Sequence, residues 1–202
     1  GDHRDLHSFP TRRSSDLLDG RRTERITRGG DLRSPDPAAD GTWAAAVRLD
    51  WGQTAIVKVD LATGEQSPLV WTVGAQVDAP RISPDGAHLA WLENDGAGFG
   101  VVVRDLATGA DWRTEPGPGG AVATDLAWSR DGHGLLASVG EGGIVDVHEV
   151  WRDGGSGRGR LTNTAGGAFS PDVLDADHVM YLSMSHRGLD LHRARLIEAG
   201  RL

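Results

Sequence analysis

The chain has 202 residues, of which 38% are hydrophobic and 25% charged, so it carries enough apolar side chains to bury a core. Its formal net charge of −8 argues against a nucleic-acid or anionic-membrane surface. Cysteine is absent, which excludes a disulfide framework and a thiolate metal site. No apolar run approaches the roughly 18 residues of a membrane helix. The 29 glycines and 7 tryptophans favour many short strands joined by tight turns.

The first seventeen residues, GDHRDLHSFPTRRSSDL, resemble the in-frame translation of a common short-read sequencing adapter. Every complete adapter codon gives the residue present from Gly1 to Asp16, and the last two bases give Leu17. We therefore interpret residues 1–17 as an artefact, expect them to be disordered and exclude them from the fold. On this interpretation the natural protein begins further upstream.

The rest of the chain is built on a repeat of about 45 residues. A turn aspartate occurs at positions 40, 85, 131 and 175, with spacings of 45, 46 and 44 residues. A second marker, the string Asp-Leu-Ala-Thr-Gly, begins at Asp60 and again at Asp105, which are also 45 residues apart. Two independent markers with one period predict a repeated structural unit.

Each unit shows the same order of predicted elements. A short strand, such as 79–82 or 124–128, precedes a turn of the Ser-Pro-Asp-Gly kind. Two apolar runs follow the turn and are predicted as strands. The first runs are 43–49, 88–92, 134–139 and 178–183, and the second are 54–60, 99–105, 144–151 and 188–196. A weak outer strand such as 66–70 ends the unit, and four strands per unit of this length predict a β-propeller blade.

The sequence therefore predicts an all-β protein with four four-stranded blades at about residues 28–72, 73–118, 119–163 and 164–202. The turns carry a proline that presets φ, an aspartate that bonds its own backbone, and a glycine that takes positive φ. The structural turn residues predicted in this way are Asp40, Gly41, Pro84, Asp85, Gly86, Asp131, Gly132 and Asp175.

Several short strings in these units resemble the TolB-like, WD-like repeat of six-bladed β-propellers, which also occurs in the propeller domains of prolyl-oligopeptidase-type peptidases. The strings are Ser83-Pro84-Asp85-Gly86, Asp60-Leu61-Ala62-Thr63-Gly64, Asp105-Leu106-Ala107-Thr108-Gly109, Arg25-Ile26-Thr27 and Arg160-Leu161-Thr162. The resemblance implies a fragment of a six-bladed ring, with residues 18–27 as the last strand of a preceding blade. A closed ring of four blades is the alternative. Ala39, Arg130 and Ala176 depart from the family's turn pattern.

The fourth unit extends the resemblance to Tol-type envelope proteins through the strings 166–171 and 187–191. This implies a non-catalytic module, in the periplasm or cell envelope, that binds proteins or peptides at its channel mouth or blade loops. The missing blades of the same parent chain would be further partners. A single lysine against twenty arginines hints at a bacterial source.

Two other functional interpretations remain open at the level of sequence. The resemblance also allows a propeller that gates access to a peptidase or hydrolase domain outside this chain. A lyase or sugar-binding propeller ranks last, because no cluster of histidine and acidic residues recurs at one mouth.

We find no catalytic, cofactor or metal motif in the sequence. His148-Glu149 lacks the second histidine of a zinc-peptidase helix, because position 152 is arginine. Residues 154–159 break the Gly-x-Ser-x-Gly pattern, so we expect a flexible hairpin loop there. His88 and His178 occupy matching places in the repeat, which favours a structural role, with metal binding as the alternative. The string 175–178 has possible ligands but falls where the repeat needs a turn.

The tryptophans fall into two groups. Trp43, Trp91, Trp128 and Tyr181 lie on or beside blade strands, as expected of a core between blades. Trp51, Trp71 and Trp112 lie at predicted loops or outer strands, which makes them candidate protein-binding anchors. We expect these three side chains to be partly buried.

The interpretation of the first seventeen residues is testable by deletion. Removing residues 1–17 is expected to lower the free energy of unfolding by less than about 0.5 kcal/mol, the scale of surface changes. Chemical denaturation of the full and shortened chains measures the difference. A loss of several kcal/mol would show that the tail belongs to the fold.

Overall fold

The computed structural model describes residues 24–96, 98–114, 122–175 and 177–195, with residues 122 and 158 described in backbone only. The proposed adapter segment, residues 1–17, therefore lies outside the described residues. Within the described ranges the fold is all-β and contains no helix. None of these residues forms a helix that could cross a membrane.

The described chain forms fifteen strands in four antiparallel sheets, and the strands of each sheet pair in chain order. Sheet 1 consists of Leu32–Pro37 (β1), Trp43–Asp50 (β2), Gln53–Asp60 (β3) and Gln66–Trp71 (β4). Sheet 2 consists of Gln76–Ile82 (β5), His88–Asn94 (β6), Phe99–Asp105 (β7) and Asp111–Arg113 (β8). Sheet 3 consists of Val122–Trp128 (β9), Gly134–Glu141 (β10), Ile144–Arg152 (β11) and Gly155–Arg160 (β12). Sheet 4 consists of Phe169–Val173 (β13), His178–Ser185 (β14) and Gly188–Arg195 (β15).

Each sheet falls inside one of the four predicted blade intervals. The apolar runs predicted as the second and third strands lie within β2, β6, β10 and β14 and within or across β3, β7, β11 and β15. Sheet 4 shows three strands in the described part of the chain, and residues 196–202 lie outside it. Short antiparallel meanders of this kind are the blades of a β-propeller.

The first strand of every sheet contains a β-bulge. Its register shifts at each bulge, and one non-glycine residue there takes a left-handed backbone conformation. These residues are Ser34, Ala79, Asp125 and Ser170, with φ of 49°, 48°, 43° and 48°. A bulge bends the strand and re-aims its groups, so its recurrence in all four sheets marks it as part of the repeat.

Side chains and backbone groups near these bulges connect one sheet to the next. The Asp36 carboxylate accepts a hydrogen bond from the Ile82 N–H at 2.7 Å. The Arg81 guanidinium donates to the Leu126 carbonyl at 3.3 Å. Asp125 accepts from the Ser170 N–H at 3.2 Å. Each junction between successive sheets therefore contains at least one polar link besides its apolar packing.

Apolar cores fill the spaces between successive sheets. Between sheets 1 and 2 the buried residues include Ile56, Leu89 and Trp91, each 0% exposed. Between sheets 2 and 3 they include Trp128 and Trp151, whose rings meet edge to face with centroids 5.4 Å apart. Between sheets 3 and 4 they are Leu136, Val147, Leu161, Ala168, Val173, Val179 and Tyr181. The described residues thus form one core at each of the three junctions, and a smaller apolar cluster of Ala46, Val57 and Val59 lies within sheet 1.

The prediction of a flexible loop at residues 154–159 is wrong. Gly155–Arg160 is strand β12, the outer strand of sheet 3, and it pairs with β11. The turn lies earlier, at Asp153 and Gly154, which have φ of 47° and 80°. Glycine has low strand propensity, but here it is required by close contact, because a β-carbon at Gly157 would overlap the Glu149 carbonyl group.

Residues 24–27, the described end of the predicted strand 18–27, do not form a strand. The same local hydrogen bond nevertheless occurs within this string and within the matching string at the end of sheet 3. The Arg25 side chain donates to the Thr27 carbonyl at 2.9 Å, and Arg160 donates to the Thr162 carbonyl at 2.8 Å. The two Arg-x-Thr strings therefore share one local hydrogen bond, although Arg160 ends a strand and Arg25 does not lie in one.

Two glycines of β12 provide a matched test of this packing. Gly157→Ala is expected to lower the free energy of unfolding by about 2 kcal/mol or more, because the new methyl group overlaps the backbone of β11. Gly155→Ala is expected to stay within about 1 kcal/mol of the wild type, because the nearest atom to its new methyl group is 3.8 Å away. Urea denaturation distinguishes the two variants. Equal effects would contradict the close approach of β11 and β12.

Candidate interaction surface

In each sheet the predicted turn residues form a hydrogen-bonded turn, and these turns lie at the same end of the four sheets. In sheet 2, the Asp85 carboxylate accepts from the Ser83 hydroxyl at 2.5 Å and from the Ala87 N–H at 3.0 Å. In sheet 3, Asp131 accepts from the Ser129 hydroxyl at 2.6 Å and from the His133 N–H at 3.0 Å. The turns therefore have the same geometry 46 residues apart.

The first and fourth turns replace the serine by other partners. Ala38 stands in the serine position, and Asp40 instead accepts from both the N–H and the hydroxyl of Thr42, each at 2.9 Å. Asp175 accepts from the Asp177 N–H and contacts the His178 ring, both at 2.9 Å. The aspartate is thus the constant element, and its partner varies from turn to turn.

Glycine and proline complete the turns. Gly41, Gly86 and Gly132 have φ of 69°, 72° and 75°, a backbone conformation that side chains with a β-carbon rarely adopt. Pro84 is exposed beside Asp85. The aspartates and glycines of these turns therefore have structural roles in the turn backbone.

Hydrogen bonds shift the acidity of these carboxyl groups. The Ser83 hydroxyl, followed by the Ala87 N–H, holds the pKa of Asp85 below its ordinary value. The Ser129 hydroxyl and the His133 N–H do the same for the pKa of Asp131. Both turns are therefore most stable when the carboxylate is ionised.

Trp51 is the most exposed large apolar side chain of the described residues. It lies at the tip of the β2–β3 hairpin and is 100% exposed, so the expectation of partial burial is wrong for this residue. Trp51 and Gly52 have φ of 49° and 80°, the pattern of a two-residue type I′ turn. The fully exposed indole is therefore not part of the packed face of the sheet.

The other two candidate anchors are more covered. Trp71, at the end of β4, is 52% exposed. It pairs with Ala55, two residues from the hairpin end, or about 7 Å along the strand. Trp112 on β8 is half-buried and packs against the core between sheets 2 and 3. Trp112 is therefore a weaker candidate for binding than Trp51 or Trp71.

Sequence reasoning missed two exposed apolar residues near the same hairpin. Leu49 precedes the turn and is 43% exposed, and Val73 follows Trp71 and is 83% exposed. We call Leu49, Trp51, Trp71 and Val73 the tryptophan end of sheet 1. The strand pattern gave no signal for them, because an apolar residue at a strand end is usually assigned to the core.

The aromatic residues predicted for the cores lie there. Trp91 is 0% exposed, Trp128 is 9% exposed and Tyr181 is 8% exposed. Trp43 is partly buried against the core between sheets 1 and 2. The His88 ring lies between sheets 2 and 3, with its centroid 5.1 Å from that of Trp151, and contributes to packing at that junction.

The histidine, glutamate and serine of the two rejected catalytic motifs lie on strands of sheet 3. His148 and Glu149 lie on strand β11, and Glu149 is buried and ion-paired to Arg152 at 2.6 Å. Ser156 lies on strand β12. Among the described residues, no group of three or more metal-ligating side chains comes together. His133 and His178 contact Asp153 and Asp175 respectively, one carboxylate each.

Comparison with solved structures identifies the fold. The described architecture matches a protein from Agrobacterium tumefaciens assigned as TolB, with a TM-score of 0.69 and 19% identity over 87% of this chain. It also matches TolB from Acinetobacter baumannii, with a TM-score of 0.63 and 21% identity over 92% of this chain. A prolyl endopeptidase structure matches with a TM-score of 0.64 and 14% identity over 87% of this chain.

The chain has a TolB-like β-propeller fold. It spans 65% and 48% of the length of the two TolB structures and 29% of the prolyl endopeptidase. At these identities the likeness establishes the fold. No family model matches the sequence, and no curated protein matches it either.

The turn carboxylates predict that the free energy of unfolding depends on pH. Asp85→Ala is expected to lower the free energy of unfolding by about 1 kcal/mol at neutral pH, because it removes two hydrogen bonds of the turn. The pKa of Asp85 is lowered in the folded state, so this contribution is present above the unfolded value near 4 and disappears as the pH falls below it.

Denaturation of both proteins between pH 7 and pH 3 measures the effect. Asp177→Ala is the matched control, since this exposed aspartate lies in the fourth turn and contributes only its backbone N–H to Asp175. A neutral effect of Asp85→Ala at pH 7 would show that Pro84 and Gly86 hold the turn without the carboxylate.

Proposed function

We propose that the chain is a non-catalytic β-propeller module that binds a protein or peptide through the tryptophan end of sheet 1. The observation that carries the proposal is the fully exposed indole of Trp51 at a hairpin tip. Tryptophan is among the residues that dominate binding energy at protein interfaces. Leu49, Trp71 and Val73 are also exposed at the same end of the sheet.

The backbone of the hairpin supports this assignment. Trp51 is held at φ of 49°, a region that costs a non-glycine residue free energy and that asparagine and glycine tolerate best. Asn-Gly is the preferred pair for such a turn. A tryptophan here weakens the hairpin and exposes a large apolar surface, so its presence is better explained by binding than by folding.

The proposal for the identity of the parent protein rests on the resemblance to Tol-type envelope proteins. In that interpretation the module is part of a larger bacterial protein of the periplasm or cell envelope. Its partners are proteins or peptides at the blade loops or channel mouth, together with the remaining blades of the same parent chain.

The alternative is a propeller that gates a peptidase or hydrolase domain outside this chain. The structural likeness to a prolyl endopeptidase favours this candidate, since this chain spans 29% of that protein. Sequencing the gene outward from the codons of residues 43–64 separates the two. A signal peptide and a small mixed domain upstream support the envelope protein, whereas a downstream Gly-x-Ser-x-Gly segment supports the gated hydrolase.

Binding is tested with the substitution Trp51→Asn. Peptides are selected from a random phage-displayed library on the immobilised chain, and their affinities are then measured by calorimetry. Trp51→Asn is expected to weaken binding by at least about 30-fold, the loss typical of an interface hot spot. The same substitution is expected to raise the free energy of unfolding by about 0.5 kcal/mol, because it relieves the left-handed turn.

Leu191→Ser is the matched control, since Leu191 is 69% exposed and lies on sheet 4. It is expected to leave the affinity unchanged. Peptides that bind Trp51→Asn as tightly as the wild type would refute the proposed site. A loss of binding with decreased stability would assign Trp51 to folding instead.

A further inference from the structure

We infer that the segment bound at the tryptophan end of sheet 1 carries an arginine, whose guanidinium stacks on the indole of Trp51 and pairs with the carboxylate of Asp50. This rests on the proposed function, which assigns peptide binding to the same end of the sheet, and it adds the chemistry that the bound segment must have. The expected partner is a cationic peptide, whereas an exposed apolar surface alone would select any apolar segment.

A tryptophan, a cation and a carboxylate already occur together in sheet 2. The Arg104 guanidinium lies over the Trp91 ring, 5.2 Å from the ring centroid. It also donates two hydrogen bonds to the Asp111 carboxylate, from Nε at 2.7 Å and from Nη2 at 2.9 Å. The face of an indole attracts a cation, and a carboxylate can bind the edge of a planar guanidinium with two parallel bonds. The hydrogen bond to Asp111 raises the pKa of Arg104, so the group on the ring stays charged.

The same three kinds of group occur together in sheet 1. The Lys58 ammonium lies over the Trp43 ring, 5.0 Å from the ring centroid. Trp43 stands directly opposite Asp60 in the pairing of β2 with β3. Hydrogen bonds from Thr63 are the main cause that lowers the pKa of Asp60, and the charge of Lys58 adds to the shift. This protein therefore combines an indole, a cation and a carboxylate at two separate places.

The tip of the β2–β3 hairpin has two of these three groups. Asp50 precedes Trp51 in the chain and pairs with Gln53 at the base of the turn. The Trp51 side chain is 100% exposed, so both faces of its ring are open to a partner. Neither of the two cation–ring contacts among the described residues involves Trp51. The cation that completes the arrangement would therefore come from the bound molecule.

The charges around the tip favour a bound cation over a bound anion. The exposed Asp31 lies beside the hairpin, because its carbonyl accepts a hydrogen bond from the Leu49 N–H at 3.1 Å. The basic residue nearest to the tip on β2 is Arg48, which is half-buried and has its Nε enclosed. The whole chain has a formal net charge of −8. A positive side chain would therefore be attracted to this end, whereas a carboxylate would be repelled.

Arginine is expected in preference to lysine. A planar guanidinium can stack on the indole and still direct its N–H groups at a carboxylate beside the ring, as Arg104 does with Trp91 and Asp111. A lysine ammonium is a compact and strongly hydrated charge, which cannot form the two parallel bonds. Lysine is therefore expected to bind at the same place with lower affinity.

The test uses peptides that are selected on the immobilised chain from a random phage-displayed library, among which arginine is expected to be enriched. In the tightest-binding peptide each arginine is replaced in turn by citrulline, which keeps the shape of the side chain and removes its charge. At one position citrulline is expected to weaken binding about 10-fold and lysine about 3-fold, as measured by calorimetry. Because citrulline alters only the peptide, the folding of the chain does not affect this comparison.

A substitution in the chain identifies the carboxylate. Asp50→Asn is expected to weaken binding of the arginine peptide about 5-fold, the scale of an exposed ion pair, and to leave binding of the citrulline peptide unchanged. Asp177→Asn is the matched control, since it removes the charge of an exposed aspartate in the fourth turn, which contributes its backbone N–H to Asp175. It is expected to leave both affinities unchanged.

The outcomes separate the inference from the proposed function. Selected peptides that lose affinity with Trp51→Asn but contain no arginine would overturn the inference and leave the binding site in place. An equal loss on replacing arginine by citrulline with the wild type and with Asp50→Asn would also overturn it, since the arginine would then contact another group. Peptides whose affinity is unaffected by Trp51→Asn would refute the proposed function, and the inference with it.

Discussion

The packing of one sheet against the next is the interaction on which the rest of this structure depends. A four-stranded antiparallel sheet of this size cannot bury its own side chains, so it becomes stable by packing an apolar face against another element. Here Trp91 is fully buried only because sheet 1 covers it, and Trp128 only because sheet 2 does.

The polar links at the innermost strands fix how successive sheets meet. Burial raises the pKa of Asp36, while its hydrogen bond from Ile82 opposes the shift, so the carboxylate is held at the junction at some cost in desolvation. An apolar contact alone would allow the sheets to slide, whereas a hydrogen bond between a carboxylate and one N–H defines a single register. The recurring bulges place these groups at the junction in each repeat.

The exposed apolar residues of the protein have two different origins. Trp51 projects from a hairpin tip where no position of the repeat would bury it, so its exposure is a property of that residue. Leu191 stands at a position that the repeat buries in three other sheets, so its exposure is a property of the array. The two exposures therefore have different physical causes.

The sequence by itself determined the period, the turns and most of the strands, because aspartate, glycine and alternating apolar residues act locally. It missed β12, since the low strand propensity of its glycines hides a close approach that only the neighbouring strand reveals. It also misjudged Trp51, because exposure depends on where the turn directs a side chain. The tertiary structure alone decided which face of each sheet is covered and which residues meet across a junction, because those contacts join residues about 45 positions apart.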